Sequence, residues 1–166
     1  MRRRKGAVTV EFTLVGIPLI FALISTVEMA RGMWIYETQA YAINAGARYV
    51  AVHGVGCTTA GNACGATLNS IATSIANAGV GLVPGSWNVA LFSASGTNNQ
   101  TCNPLSSCFG NNTVWPPSPD NTVGVGIAVT GSYPFTSALA MFFPGSRRTQ
   151  FGTFNMPAYA QHLIQF

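Results

Sequence analysis

Arg2-Arg3-Arg4-Lys5-Gly6-Ala7-Val8-Thr9-Val10-Glu11 is the stretch that decides how the rest of this chain is read. Four cations in a row end at a glycine, and the residues that follow are apolar or small except for one carboxylate, Glu11. From Phe12 to Val27 there is no charge. Counted from Ala7, about twenty residues are mostly apolar, close to the length of helix that crosses a bilayer. A carboxylate entering a membrane with its helix is costly, so Glu11 marks a candidate functional site. A cleaved secretory signal is the competing reading. The compact basic leader, the long apolar run and the lack of a small-residue cleavage site after it favour a retained anchor.

Charge divides the chain in the same place. Arg2, Arg3, Arg4 and Lys5 supply four of the eight basic residues behind the net charge of +4. Past Gly6, Arg31, Arg48, Arg147 and Arg148 balance Glu11, Glu28, Glu37 and Asp120. A basic nucleic-acid footprint is therefore absent. The leader cations keep the N-terminus cytoplasmic by the positive-inside rule, which places the chain after about Met33 outside. Charged residues make up only 7%, against about a quarter in soluble proteins. This composition suits an extracytoplasmic protein with a small core and not a cytosolic enzyme.

Outside the cytoplasm the four cysteines meet an oxidising compartment. Three pairings are possible, and two local bridges, Cys57–Cys64 and Cys102–Cys108, are favoured; each staples a glycine- or asparagine-rich loop. A zinc site is the alternative, weakened by the lack of C-x-x-C spacing and by a total of two histidines.

The expected fold class is α+β: a long N-terminal transmembrane helix packed on a small antiparallel sheet domain. Residues 1–6 form a leader, 7–28 the membrane and assembly helix, and 29–166 the extracytoplasmic domain. The helix is expected to run on over 29–53, where Met29, Met33, Tyr36, Ala40, Ile43, Ala47 and Val50 form one stripe at alternating steps of four and three. Gly16 and Pro18 interrupt its apolar half; Pro18 has no N–H and crowds the carbonyl of Leu14, so a kink is expected there. A second helix is expected over 66–78. Strands are expected within 86–92, 122–133 and 147–166. Residues 93–121 read as a polar loop ending in Trp115-Pro116-Pro117, an extended segment and a possible partner contact. In 122–133 the large residues Val123, Val125, Ile127 and Val129 alternate with Gly124, Gly126 and Ala128; the small face is expected to receive helix one. The apolar stretch 139–143 reads as buried core, with partner surface as the alternative.

No catalytic constellation is visible. His53 and His162 lack neighbouring acids, Asp120 and the serines form no recognisable set, and no nucleophile elbow, zinc-protease motif or P-loop is present. No cofactor and no metal are expected, and the chain is read as a non-enzyme. Asn99-Gln100-Thr101 and Asn111-Asn112-Thr113 match glycosylation triplets.

Taken together, G-A-V-T-V-E-F, the G-I-P-L-I-F that follows, A-G-A-R-Y-V-A at the helix end and the later V-G-V-G-I-A-V-T-G-S-Y-P-F resemble TadE-like minor pilins, or pseudopilins, of the Tad (Flp) type IV pilus system. The resemblance is strongest over the first third of the chain. It implies a pilin-like fold, cleavage by a prepilin peptidase between Gly6 and Ala7, and Glu11 at the fifth mature position acting in assembly. It also implies residence in the bacterial inner membrane with the C-terminal domain in the periplasm or outside. The implied partners are other pilin subunits and the Tad inner-membrane machinery, in a pilus that serves surface adhesion. A major structural subunit of such a filament, and a membrane-tethered adhesin that never polymerises, are the alternatives.

Overall fold

The computed structural model describes residues 5–54, 65–137 and 153–165. The leader residues Arg2 to Arg4, Cys57 and Cys64, the apolar stretch 139–143 and the first part of the expected 147–166 strands lie outside the described residues. The chain divides into two units, one made of Met1–Trp34 with Thr136–Thr153 and one of Ile35–Phe135 with Phe154–Phe166. The elements are helix α1 (Lys5–Ala51), helix α2 (Leu68–Ala78) and strands β1 (Asn88–Ser93), β2 (Gln100–Cys102), β3 (Gly126–Thr136) and β4 (Thr153–Leu163). An α+β fold with a long apolar N-terminal helix is therefore what forms.

In the first unit, α1 is helical without interruption through Pro18. Its large apolar side chains from Val8 to Trp34 are exposed, except for half-buried Ile24. The hydroxyls of Thr13 and Thr26 turn inward on their own helix. Thr13 donates to the carbonyls of Thr9 and Val10 at 3.0 Å, and Thr26 donates to that of Ala22 at 2.8 Å. Such back-bonds satisfy a hydroxyl without water, which an apolar solvent requires.

The second unit is built on a four-stranded sheet ordered β2-β1-β3-β4. β1 pairs antiparallel with β2, Val89 opposite Cys102, and with β3, Leu91 opposite Val129. At the far end of β4, Gly124 donates to the carbonyl of Ile164 and Ile164 to that of Val125. The sheet's inner face carries Val89, Leu91, Ile127, Val129, Ala158 and Ala160, which pack with Ile43, Ala47 and Val50 of α1 and Ile71 and Ile75 of α2 around Trp87.

Glycines set the distance between these layers. A Cβ at Gly131 of β3 would lie 2.7 Å from Cδ1 of Ile43, and one at Gly46 of α1 would lie 2.3 Å from Cγ1 of Ile75. Both helices thus approach where a side chain is missing. The expectation for β3 needs correction here: α1 packs on the face of Ile127, Val129 and Gly131, while Gly126, Ala128 and Thr130 lie on the half-exposed side. Large residues supply the buried area, and a single glycine among them suffices for close approach.

The expected stripe on α1 is also displaced. Ile43, Ala47 and Val50 are buried, but Met29 (72% exposed), Met33 (63%) and Tyr36 (49%) are not. The buried face runs through Gln39, Ala42, Ile43, Gly46, Ala47 and Val50. Gln39 is wholly buried and its amide donates to the carbonyl of Met156 at 3.0 Å. A polar residue and a glycine thus hold core positions that hydropathy alone assigns to the surface.

Element ends follow local chemistry. Thr67 caps α2 in a reciprocal arrangement with Ser70, and Gly79 closes the helix, so α2 starts two residues later than expected. α1 ends at Ala51, whose carbonyl accepts the N–H of Gln165. β1 begins at Asn88 because Pro84–Ser86 is a 3-10 turn. β3 runs past Pro134 to Thr136 instead of ending at Tyr133. Pro134 lies beyond the β1-paired stretch 127–132, where a missing N–H is tolerated.

Candidate functional site

The candidate site is the start of α1. The helix includes Gly6, and a Cβ built there would meet nothing within 4 Å. Its backbone is not in the left-handed region that favours glycine. The contrast with Gly46 and Gly131 is direct: those glycines are demanded by packing, Gly6 is not. A glycine in a helix costs about 1 kcal/mol relative to alanine. The described fold therefore gives no reason for this residue.

Five positions on, Glu11 is exposed among exposed apolar neighbours. Among the described residues its carboxylate has no ion-pair partner; the ion pair found is Arg31–Glu28, at 3.0 Å with Glu28 mostly covered. Arg31 also donates to the carbonyl of Thr136. Among the described residues, α1 is the one helix long and apolar enough to cross a membrane. Gly16 meets only the ring of Phe12 near 3.9 Å, so this face has room for another backbone.

The other sequence candidates resolve into architecture. Cys102 and Cys108 are joined, with Cα atoms 5.6 Å apart. Trp115 is 1% exposed, its indole N–H donating to the carbonyl of Asn98 at 2.6 Å. Pro116 beside it is buried and Pro117 half-buried. The aromatic ring expected to meet a partner is thus a core residue. Turns replace the expected extended path, with Asp120 N–H bonded to the carbonyl of Pro117 and Val125 N–H to that of Thr122.

Asp120 closes this loop onto the β1–β2 connection. It is buried; Oδ2 accepts from the hydroxyl of Ser95 and, at 2.8 Å, from the amide of Asn98. Hydrogen bonds from Ser95 first, then Ser93 and Asn98, hold its carboxyl below the ordinary carboxylate range, against the opposing effect of burial. The serines and the acid come together as donors and acceptor that fix a loop. His53 donates from Nδ1 to the carbonyl of Tyr49 at 2.7 Å and stacks on that ring. His162 lies 3.4 Å from Oδ1 of Asn44. No group of three metal-ligating side chains occurs among the described residues.

Sequence reasoning missed Gln39 and the Ser95–Asn98–Asp120 lock. A buried glutamine has no local signature, and the lock joins residues more than twenty positions apart. Compared with known proteins, residues 6–48 match the family model described as TadE-like protein. Neither a curated relative nor a solved structure matches the chain.

Proposed function

We propose, from a TadE-like N-terminal segment, that this chain is a membrane-anchored minor pilin that primes or joins a Tad-type pilus. Prepilin peptidase cuts between Gly6 and Ala7. The domain after about Met33 lies on the outer side of the bacterial inner membrane. The observation that carries this reading is Glu11: one carboxylate set in an otherwise apolar exposed helix, five residues past a glycine that the described fold does not require.

Cleavage would create a cationic amine on Ala7. Packing apolar helices side by side would bury that amine, and an unpaired buried ion costs several kcal/mol. Glu11 of a neighbouring subunit offsets the charge. Such a pair roughly breaks even in energy, so it sets register more than it adds strength.

The test is the intact mass and N-terminal sequence of the protein from its native membrane. A chain beginning at Ala7 is expected; one that retains residues 2–5 overturns the reading. Glu11→Ala is expected to leave the domain folded and membrane-inserted while its incorporation into sheared filaments falls. Priming rather than building also predicts that the protein is scarce in those filaments, whereas dominance there would make it the major subunit.

A further inference from the structure

The outer face of the sheet carries a recess of about 640 Å³, and its lining residues all belong to the second unit. Alternation along β1 and β3 turns Val89, Val129 and Gly131 inward and leaves Ala90, Thr130 and Ser132 on the outside. The strand register sets these residues in rows. Thr101, Ala90 and Thr130 stand side by side across β2, β1 and β3, and Asn88 faces Ser132 in the next row. The short side chain of Ala90 leaves the floor low between two threonines. Tyr159 of β4, 64% exposed, and Tyr36 of α1, 49% exposed, line the same recess. Tyr36 precedes Gln39 by three residues, and the bond from Gln39 to Met156 holds that turn of α1 beside β4.

The volume is that of a small-ligand site, in which a few placed polar groups decide what is bound. No charged side chain lines this recess among the described residues. Its polar groups are neutral hydroxyls and an amide. Among the described residues the side chains of Asn88, Thr101 and Ser132 have no hydrogen-bond partner, and Thr130 makes one long bond, 3.4 Å to the carbonyl of Ala90. The hydroxyl of Tyr159 donates to Oε1 of Gln161 at 2.8 Å, and its oxygen can still accept. β1 lies between β2 and β3, and β3 between β1 and β4, so the floor offers no strand edge to an added peptide strand.

We infer that this recess binds a neutral oligosaccharide, with Tyr36 and Tyr159 against sugar-ring faces and Asn88, Thr101, Thr130 and Ser132 on the sugar hydroxyls. A sugar ring has an apolar C–H face and a rim of hydroxyls that both donate and accept. Aromatic faces, apolar and negative at the centre, match the first. Neutral hydroxyls and an amide, which also donate and accept, match the second. A phosphate, carboxylate or ammonium group finds no counter-charge here, and a lipid tail would leave the polar floor unpaired. The site rests on the proposed outer location of the domain for access to its ligand, and on nothing in leader processing or filament assembly.

The test places the purified full chain, in a detergent without a sugar headgroup, on an array of neutral and acidic oligosaccharides. The array includes envelope polysaccharide of the source bacterium. Saturable retention on neutral glycans is expected, and the arm that binds identifies the source. Tyr36→Ala and Tyr159→Ala are each expected to lower the affinity about tenfold, and Thr101→Val about twofold to tenfold. The melting temperature is expected to hold in all three, because these side chains are exposed. Tyr41→Ala, also exposed but outside the recess, is expected to bind like the parent. Retention of no neutral glycan, retention of acidic glycans alone, or indifference to both tyrosine substitutions overturns the inference. A proline-rich peptide that binds through the two tyrosines while no glycan does overturns it as well and makes the recess a peptide groove. Binding is read without membrane or filament. Its failure therefore leaves the processed pilin standing, and a chain that retains residues 2–5 leaves glycan binding standing.

Discussion

The two halves of α1 share one backbone conformation and differ in how their side chains are covered. From Val8 to Trp34 the large apolar side chains other than Ile24 are exposed, and the hydroxyls of Thr13 and Thr26 fold back on their own helix. From Ile35 to Ala51 burial concentrates on one line, Gln39, Ile43, Gly46 and Val50, while charge and tyrosine occupy the opposite line. Helical propensity does not distinguish the halves; what each half is packed against does. The first half is suited to lipid or to other apolar helices, the second to one particular sheet.

Substitutions at matched positions break or sharpen this contrast. Ile43→Ala removes a wholly buried side chain and is expected to cost about 2–5 kcal/mol of domain stability. Leu19→Ala, at an exposed site, is expected to leave the thermal midpoint unchanged; melts of both variants in one detergent decide it. Gly46→Ala places a Cβ against Ile75 and is expected to cost about 1–3 kcal/mol by overpacking. An unchanged melting temperature would mean that α2 does not sit as described.

Acid probes the domain half through Asp120. The carboxyl of Asp120 is held below its ordinary value, so its contribution is present above the unfolded pKa and is lost as pH falls through the lowered folded one. The midpoint is therefore expected to drop as pH is taken below about 4, and Asp120→Asn to flatten that part of the profile. A small effect of the opposite sign is expected at Gly16→Ala. With only the ring of Phe12 at ordinary contact distance, this change stabilises the helix by up to about 1 kcal/mol, opposite in sign to Gly46→Ala, as helix content in detergent micelles would show.

Much of this architecture is legible from residue order because it is local. The uncharged run Phe12–Val27 announces the apolar half, and alternation in 122–133 announces β3, although the strand itself begins at Gly126. The boundaries and faces that differ have non-local causes. Met29 and Met33 continue the hydrophobic period of α1, yet the period carries no record of which face meets the sheet. Gln39 reads as surface until the carbonyl of Met156 is brought to it. Trp115 in a proline-rich loop reads as a ligand contact until Asn98, seventeen residues earlier in the chain, supplies an acceptor for its N–H. Gly6 and Glu11 stand out because they break a pattern, and the described fold leaves both without a packing role.

The bond from the N–H of Gln165 to the carbonyl of Ala51 has a mechanical consequence. The neighbouring residue, Ile164, is bonded through both backbone groups to Gly124 and Val125, so the end of α1 and the rims of β3 and β4 meet at one knot. Tension drawn along the long helix enters the sheet through several bonds loaded together. A domain hauled by its N-terminal shaft is thereby braced against peeling open one bond at a time.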